Sequence, residues 1–380
     1  MLDMSIHLKA VGLLALLSML LGGGARAENP HGLPDGLYSE VTTERGVVVA
    51  ELFFRKVPMT VANHVGLAEG TLGPKPRKPF YDGASWFRVI EGFVLQGGDP
   101  SGTGTGDAGY LFPDEIAPGL RHAGAGTMQM ANDGPDTNGS QFCFMLSAQA
   151  RLNYQHSVFG QVVRGLDVLP KIQQGDTMRV KILRLGAEAQ AFKADEESFN
   201  ALVAKAGRYA GPRNPGPDAH FDDPDKLLPA EWDRAKNFTY KLANFERFTG
   251  VKLAARLLAT PPVAAEELPA WLAREAARLG VAQRGALAVY FASTDEWRIR
   301  IGSASEAGFL RSAPAGEAPA GLETSIQSLI AAAKAEATTA INESTTRLLP
   351  GESMTDPRRI KIKADALLDP LIFRLETHDK

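Results

Sequence analysis

Between Phe80 and Leu185 the chain is a succession of short β-type runs, each ended by a cluster of Gly, Asn, Asp or Pro. Many short strands joined by such turns predict a sandwich or a barrel. The preceding stretch fits the same architecture. Glu40 to Phe54 alternates around Arg45-Gly46, the pattern of a β-hairpin. Thr60 predicts the cap of a short helix running to about Glu69, with Val61, Val65 and Ala68 on one face. Gly165 to Gln173 predicts a second short helix despite Pro170.

Two segments stand out. Trp86 to Asp99 reads W-F-R-V-I-E-G-F-V-L-Q-G-G-D, a single Arg in an apolar β-like run. Met130 to Phe144 reads M-A-N-D-G-P-D-T-N-G-S-Q-F-C-F, a loop crowded with turn residues that feeds into an aromatic strand. Together they can build a shallow apolar pocket with a few fixed hydrogen-bond donors. By alternation Gln141 and Cys143 share one strand face, and Phe142 and Phe144 the other.

Both blocks resemble the cyclophilin family of peptidyl-prolyl isomerases. Further matches are V-P-M-T-V-A-N-H at Val57 to His64, P-F-Y-D-G at Pro79 to Gly83, and H-S-V-F-G at His156 to Gly160. Several long motifs in the right order, over roughly Leu37 to Leu185, make the resemblance specific. It implies a mainly β fold: a closed eight-stranded antiparallel barrel capped by two helices. It also implies an enzyme that accelerates rotation about X-Pro bonds.

That chemistry needs no acid, base, metal or cofactor. Amide resonance sets a barrier of about 18–20 kcal/mol. In the twisted amide the prolyl nitrogen regains a lone pair, and a donor aimed at it binds the transition state better than the ground state. Arg88, always protonated and rich in N–H groups, matches the family's catalytic arginine. Gln96 is the second catalytic candidate, an amide able to orient the substrate carbonyl. The resemblance makes Phe93, Val94, Phe142, Cys143 and Leu152 the pocket and its support, with His156 at the rim and Gln141 in the groove. It also has Ala131 and Asn132 pair with the substrate backbone.

Three departures matter. The family usually has His at Phe87, Phe at Cys143 and Trp at Arg151. Losing a ring from the pocket floor removes apolar contact at about 25 cal/mol per Å². The alternative to a competent enzyme is therefore a weakly active or inactive module that binds proline segments as a chaperone or scaffold, with the main role in the C-terminal domain. The Arg151 position implies reduced sensitivity to cyclosporin.

Other motifs lead elsewhere. Gly102-Thr103-Gly104-Thr105-Gly106 lacks the Lys-Ser/Thr of a phosphate loop and reads as a flexible groove-rim loop. Ser140 has no G-x-S-x-G around it. Cys143 with His156 invites a thiol-nucleophile reading that nothing in the sequence supports. His220, Asp222 and Asp223 read as members of a solvated Pro-rich linker rather than metal ligands.

With 380 residues, 44% of them hydrophobic, the chain has room for two domains. A net charge of −3 gives no ground for a nucleic-acid partner, and the single cysteine excludes an intrachain disulfide framework. Lys9, the apolar run Val11 to Leu21 and the A-x-A of Ala25-Arg26-Ala27 read as a signal peptide over 1–27. The expectation is a periplasmic or secreted protein without stable membrane insertion after cleavage, acting on proline-containing polypeptides. The cyclophilin-like domain is expected over 37–187, a helix and Pro/Gly-rich linker over 188–230, and an α/β domain over 231–380. In that last part Glu231 to Phe248, Glu266 to Leu279 and Gly321 to Glu343 predict helices. Gly285 to Gly302 predicts two strands around a Ser-Thr-Asp turn. Its helix–strand–turn–strand order resembles the TPM-type domain of exported bacterial proteins.

Overall fold

The computed structural model describes residues 31–229, 234–312, 320–349 and 351–376. The signal segment read from 1–27 lies outside the described residues. Among them, no helix is long and apolar enough to cross a membrane.

The first unit is a curled sheet of nine antiparallel strands. They are β1 (Gly36–Thr43), β2 (Gly46–Leu52), β3 (Ala84–Ser85), β4 (Arg88–Ile90), β5 (Val94–Gly97), β6 (Thr127–Met130), β7 (Phe142–Met145), β8 (Val158–Arg164) and β9 (Thr177–Leu185). Their order is β3-β9-β1-β2-β8-β6-β7-β5-β4. The count exceeds the expected eight because one stretch of chain bends. Ala84 and Ser85 pair with β9, and Trp86 continues that pairing, its N–H donating to the Asp176 carbonyl at 2.9 Å. Arg88 to Ile90 then pair with β5 at the opposite edge of the sheet.

Helix α1 (Pro58–Glu69) begins earlier than Thr60 predicts, with Pro58 in its first turn, where a missing N–H costs nothing. Thr60 is buried and its side chain is not the cap. The cap comes from far along the chain: the Glu115 carboxylate accepts from the N–H groups of Met59 and Thr60 at 3.1 and 2.7 Å. Sequence-local capping rules could not see this partner. The helix packs its apolar side under the inner face of the sheet. His64, fully buried, meets Ser39 Oγ at 2.9 Å and stacks on Tyr81 at 5.2 Å.

The helix predicted over 165–173 reduces to one 3-10 turn, Leu169–Lys171. Gly165 sits at φ +80°, against the Val47 carbonyl, and cannot open a helix. The one helix expected at the start of 188–230 is two, α2 (Ala187–Ala191) and α3 (Glu196–Lys205), the second capped by Asp195 on the Ser198 N–H at 2.8 Å. Ala189, Ala194 and Phe199 bury in the first core, so this segment belongs to the first unit and not to a linker.

The second unit holds a four-stranded mixed sheet in the order β10-β11-β12-β13. These are β10 (Phe221–Asp222), β11 (Lys252–Leu258), β12 (Gly285–Phe291) and β13 (Glu296–Ile301). The first two pairings are parallel and the predicted hairpin, β12 with β13, is antiparallel. Because β10 lies at 221–222, the unit begins before residue 231. Around the sheet are α4 (Arg234–Thr249), α5 (Leu268–Arg278), α6 (Glu306–Arg311), α7 (Leu322–Thr346) and α8 (Asp356–Leu375). His220 is buried rather than solvated and meets Glu246 at 2.5 Å, while Asp223 accepts from the N–H groups of Leu227 and Leu228.

Burial holds His64 and His122 neutral: desolvation pushes them down to about 3 and about 4, and it also pushes the half-buried His156 down to about 4. An unfolded chain protonates each near the ordinary 6.5. Their full contribution to stability is therefore present above pH 6.5 and drains as pH falls toward 4, by up to about 1.4 kcal/mol per pH unit for each histidine. The urea midpoint is expected to fall steadily between pH 7 and pH 4.5. A flat midpoint across that window would contradict the neutral, buried assignment.

Candidate functional site

Strand register builds the site. Arg88 lies opposite Gln96, Gln96 opposite Cys143, and Cys143 opposite Gln129, so one row of side chains crosses β4, β5, β7 and β6 on a single face. Val94 and Met145 form the next pair along that face. The opposite face, with Leu95, Phe142, Phe144, Met128 and Met130, fills the core.

The row is hydrogen-bonded from its exposed end inward. Arg88 Nη1 donates to Gln96 Oε1 at 2.9 Å, and Gln96 Nε2 donates to Gln141 Oε1 at 2.9 Å. Gln141 Nε2 in turn donates to the carbonyls of Gly104 and Gly106 at 3.0 and 2.9 Å. Both ends of the Gln96 amide are thus engaged. Its oxygen holds the guanidinium, and its nitrogen donates one of its two N–H groups to Gln141.

Beside this chain Val94, Cys143 and Met145 form a small apolar cluster with Phe93, Ala131 and Leu152 packed on it. The Phe93 ring carries two cations: the Arg88 guanidinium 5.8 Å from its centre and that of Arg151 at 4.9 Å. Arg151 therefore covers the Phe93 side of this cluster.

Phe142, expected in the pocket, does not reach it. It is fully buried on the core face, edge-on to Tyr81, Trp86 and His64. Alternation had already assigned it that face. Ala131 N–H donates to the Gln141 carbonyl at 3.0 Å, so its backbone continues the sheet. Asn132 Nδ2 donates to the Gln155 carbonyl at 2.8 Å. His156 Nδ1 lies 3.2 Å from the Met130 carbonyl, which fixes the half-buried ring at the rim.

Sequence reasoning missed what stands behind the floor. Gln129 is buried and bonded to His122 Nε2, whose Nδ1 lies 3.0 Å from Asn153 Oδ1. Its signal was legible only through register: a Gln directly across from Cys143. Burial pushes the Cys143 thiol up to about 12, so it holds its proton and offers no thiolate nucleophile.

The Gly102–Gly106 loop is not loose. The Asp99 carboxylate collects the N–H groups of Ser101, Thr103, Gly104 and Gly106 at 2.7, 3.1, 2.6 and 3.1 Å. Desolvation works to raise its pKa, but the bonds from Ser101 and the backbone outweigh it and hold the carboxyl down at about 2. The loop's donors are thus already occupied by an internal anion.

The second unit docks against the rim. Tyr154, in the left-handed region at φ +62°, buries its ring edge-on to Phe245 at 5.2 Å and donates its hydroxyl to Glu376 at 2.6 Å. Asn244 Nδ2 donates to the Tyr154 carbonyl at 3.1 Å, and Arg247 pairs with Asp136 at 2.9 Å. Lys241, wholly buried, pairs with Asp369 and reaches the Arg151 carbonyl at 3.3 Å.

The family model "Cyclophilin type peptidyl-prolyl cis-trans isomerase/CLD" matches residues 38–187. The chain is 49% identical over 127 residues to a probable peptidyl-prolyl cis-trans isomerase A of Mycobacterium leprae, covering 32% of this chain and 70% of the relative. It is 40% identical over 163 residues to the peptidyl-prolyl cis-trans isomerase CYP18-2 of Arabidopsis thaliana, covering 40% of this chain and 94% of the relative. A solved cyclophilin type isomerase of Cryptosporidium parvum matches with 28% identity and a TM-score of 0.35, over 40% of this chain and 98% of that one. A curled antiparallel sheet with an arginine tethered beside an apolar cluster, in a stretch nearly half identical to a probable peptidyl-prolyl isomerase of which it covers 70%, puts this chain in the cyclophilin-type peptidyl-prolyl cis-trans isomerases.

Proposed function

We propose that Arg88 supplies the donor to the prolyl nitrogen and that the proline ring seats on Phe93, Val94, Cys143 and Leu152. The observation that carries this reading is the Arg88–Gln96–Gln141 chain of hydrogen bonds lying against that apolar cluster. A tethered guanidinium needs little reorganisation as the nitrogen becomes pyramidal. The fold that supports it is a barrel closed through the bent stretch Ala84 to Ile90, eight-stranded when that stretch is counted once. Arg88→Ala is expected to lower kcat/KM on an X-Pro tetrapeptide by about 10²–10³-fold. Its circular dichroism spectrum should stay unchanged, because Arg88 is exposed. An unaltered rate would remove the assignment.

Cys143 gives the floor less apolar contact than a ring would. Restoring a ring buries about 60 Å² more apolar surface, about 1.5 kcal/mol or tenfold in affinity. Gln129 faces it across the strands, so room must be made. Cys143→Phe combined with Gln129→Ala is expected to lower KM for the same peptide by up to about tenfold. A raised or unmoved KM would mean that the floor lies elsewhere.

The clients we infer are exported proteins still folding, on the strength of Lys9, the apolar run to Leu21 and the Ala25-Arg26-Ala27 signal. Mass spectrometry of the protein from its own cells should find a mature N-terminus near Glu28. An intact leader on protein recovered from the cytoplasm would refute export.

A further inference from the structure

Leu152, which packs on the Val94, Cys143 and Met145 cluster, also lines, with Asn132 and His156, a cavity of about 480 Å³ between the first unit and helices α4 and α8. Lys236, Asn237 and Tyr240 of α4 and Lys361 of α8 form its other wall. A second cavity, about 630 Å³, continues beyond Arg151 between the turn Ala150–Leu152 and helices α7 and α8. Arg151, Lys361 and Asp365 line both. The two form one trough that starts at the rim of the proline pocket and runs across the second unit. Each part falls in the size range of ligand sites, about 300–1,000 Å³.

The walls are fixed to each other. Lys241 ties α4 to α8 through Asp369 and to the 3-10 turn through the Arg151 carbonyl. Tyr154 ties the rim loop to the end of α8 through Glu376. The lining mixes amides, cations, carboxylates such as Asp133 and Asp365, one phenol and apolar side chains such as Leu152 and Phe238, a mixture that suits an extended polypeptide better than a compact apolar ligand.

We propose that the residues flanking the isomerised proline lie in this trough, so that the second unit selects among polypeptide substrates. This rests on the proline pocket lying at Phe93, Val94, Cys143 and Leu152, since only then does the trough begin where the substrate chain leaves it.

The test compares two labelled ligands on the full chain: an X-Pro tetrapeptide and a longer peptide with the same core, extended on both sides. Fluorescence anisotropy gives the ratio of their dissociation constants. The native chain is expected to bind the longer peptide about tenfold more tightly, a difference of about 1.4 kcal/mol. Lys236→Ala with Tyr240→Ala should bring that ratio near one. Asn237→Trp, which fills the cavity instead of emptying it, should do the same and guards against a fold effect of the truncations. Equal affinities on the native chain, or a ratio unmoved by both variants, overturn the proposal. Turnover by Arg88→Ala is a separate measurement, so failure of the donor assignment leaves the length ratio to judge the trough.

Discussion

One cross-strand register governs this molecule. With Arg88, Gln96, Cys143 and Gln129 abreast, every second residue of four strands faces the groove and the rest face the core. A slip of one residue in β5 would turn Leu95 outward and bury Gln96, dissolving both the core contact and the tether at once. The inner face is what prevents this. The Phe142 ring stands edge-on to Phe144, Trp86, Tyr81 and His64, and burial keeps the imidazole among them neutral.

The rim is governed by a different force. Arg151, Leu152 and His156 sit in a loop that the second unit holds from behind, through a buried ion pair and a tyrosine in a backbone conformation seldom adopted outside glycine. Burial pushes Asp369 up to about 6 despite the neighbouring ammonium of Lys241. Removing either partner would strand a charge, a cost of about 3–5 kcal/mol. Such a pair adds little net stability; it joins α4 to α8 within the second unit, and the same ammonium reaches across to the Arg151 carbonyl of the rim. The position of Arg151 over Phe93 is thus set partly by residues about ninety positions or more away in sequence.

Local chemistry was legible where it is local. The β1–β2 hairpin, the β12–β13 hairpin and the opposite facing of Cys143 and Phe142 follow from alternation and turn residues alone. Long motifs carried the family and put Arg88, Gln96 and Phe93 together. What escaped depended on distant partners or on burial. The α1 cap is Glu115, more than fifty residues downstream. Strand β11 is covered on both faces, Leu253, Ala255 and Leu257 in one core and Ala254 in another, so no period-two pattern marks it. Helix α8 went unread, as did its link to the rim. The pocket role given to Phe142 followed the motif against the strand's own alternation.

The groove's other border is the Gly102–Gly106 loop, whose composition suggests softness. Asp99 makes it the reverse. A carboxylate seated within the turn gathers its amide hydrogens before any ligand arrives, and Gln141 holds two of its carbonyls from beneath. The loop behaves as a preorganised ledge, so a visiting chain need not supply the entropy of ordering it.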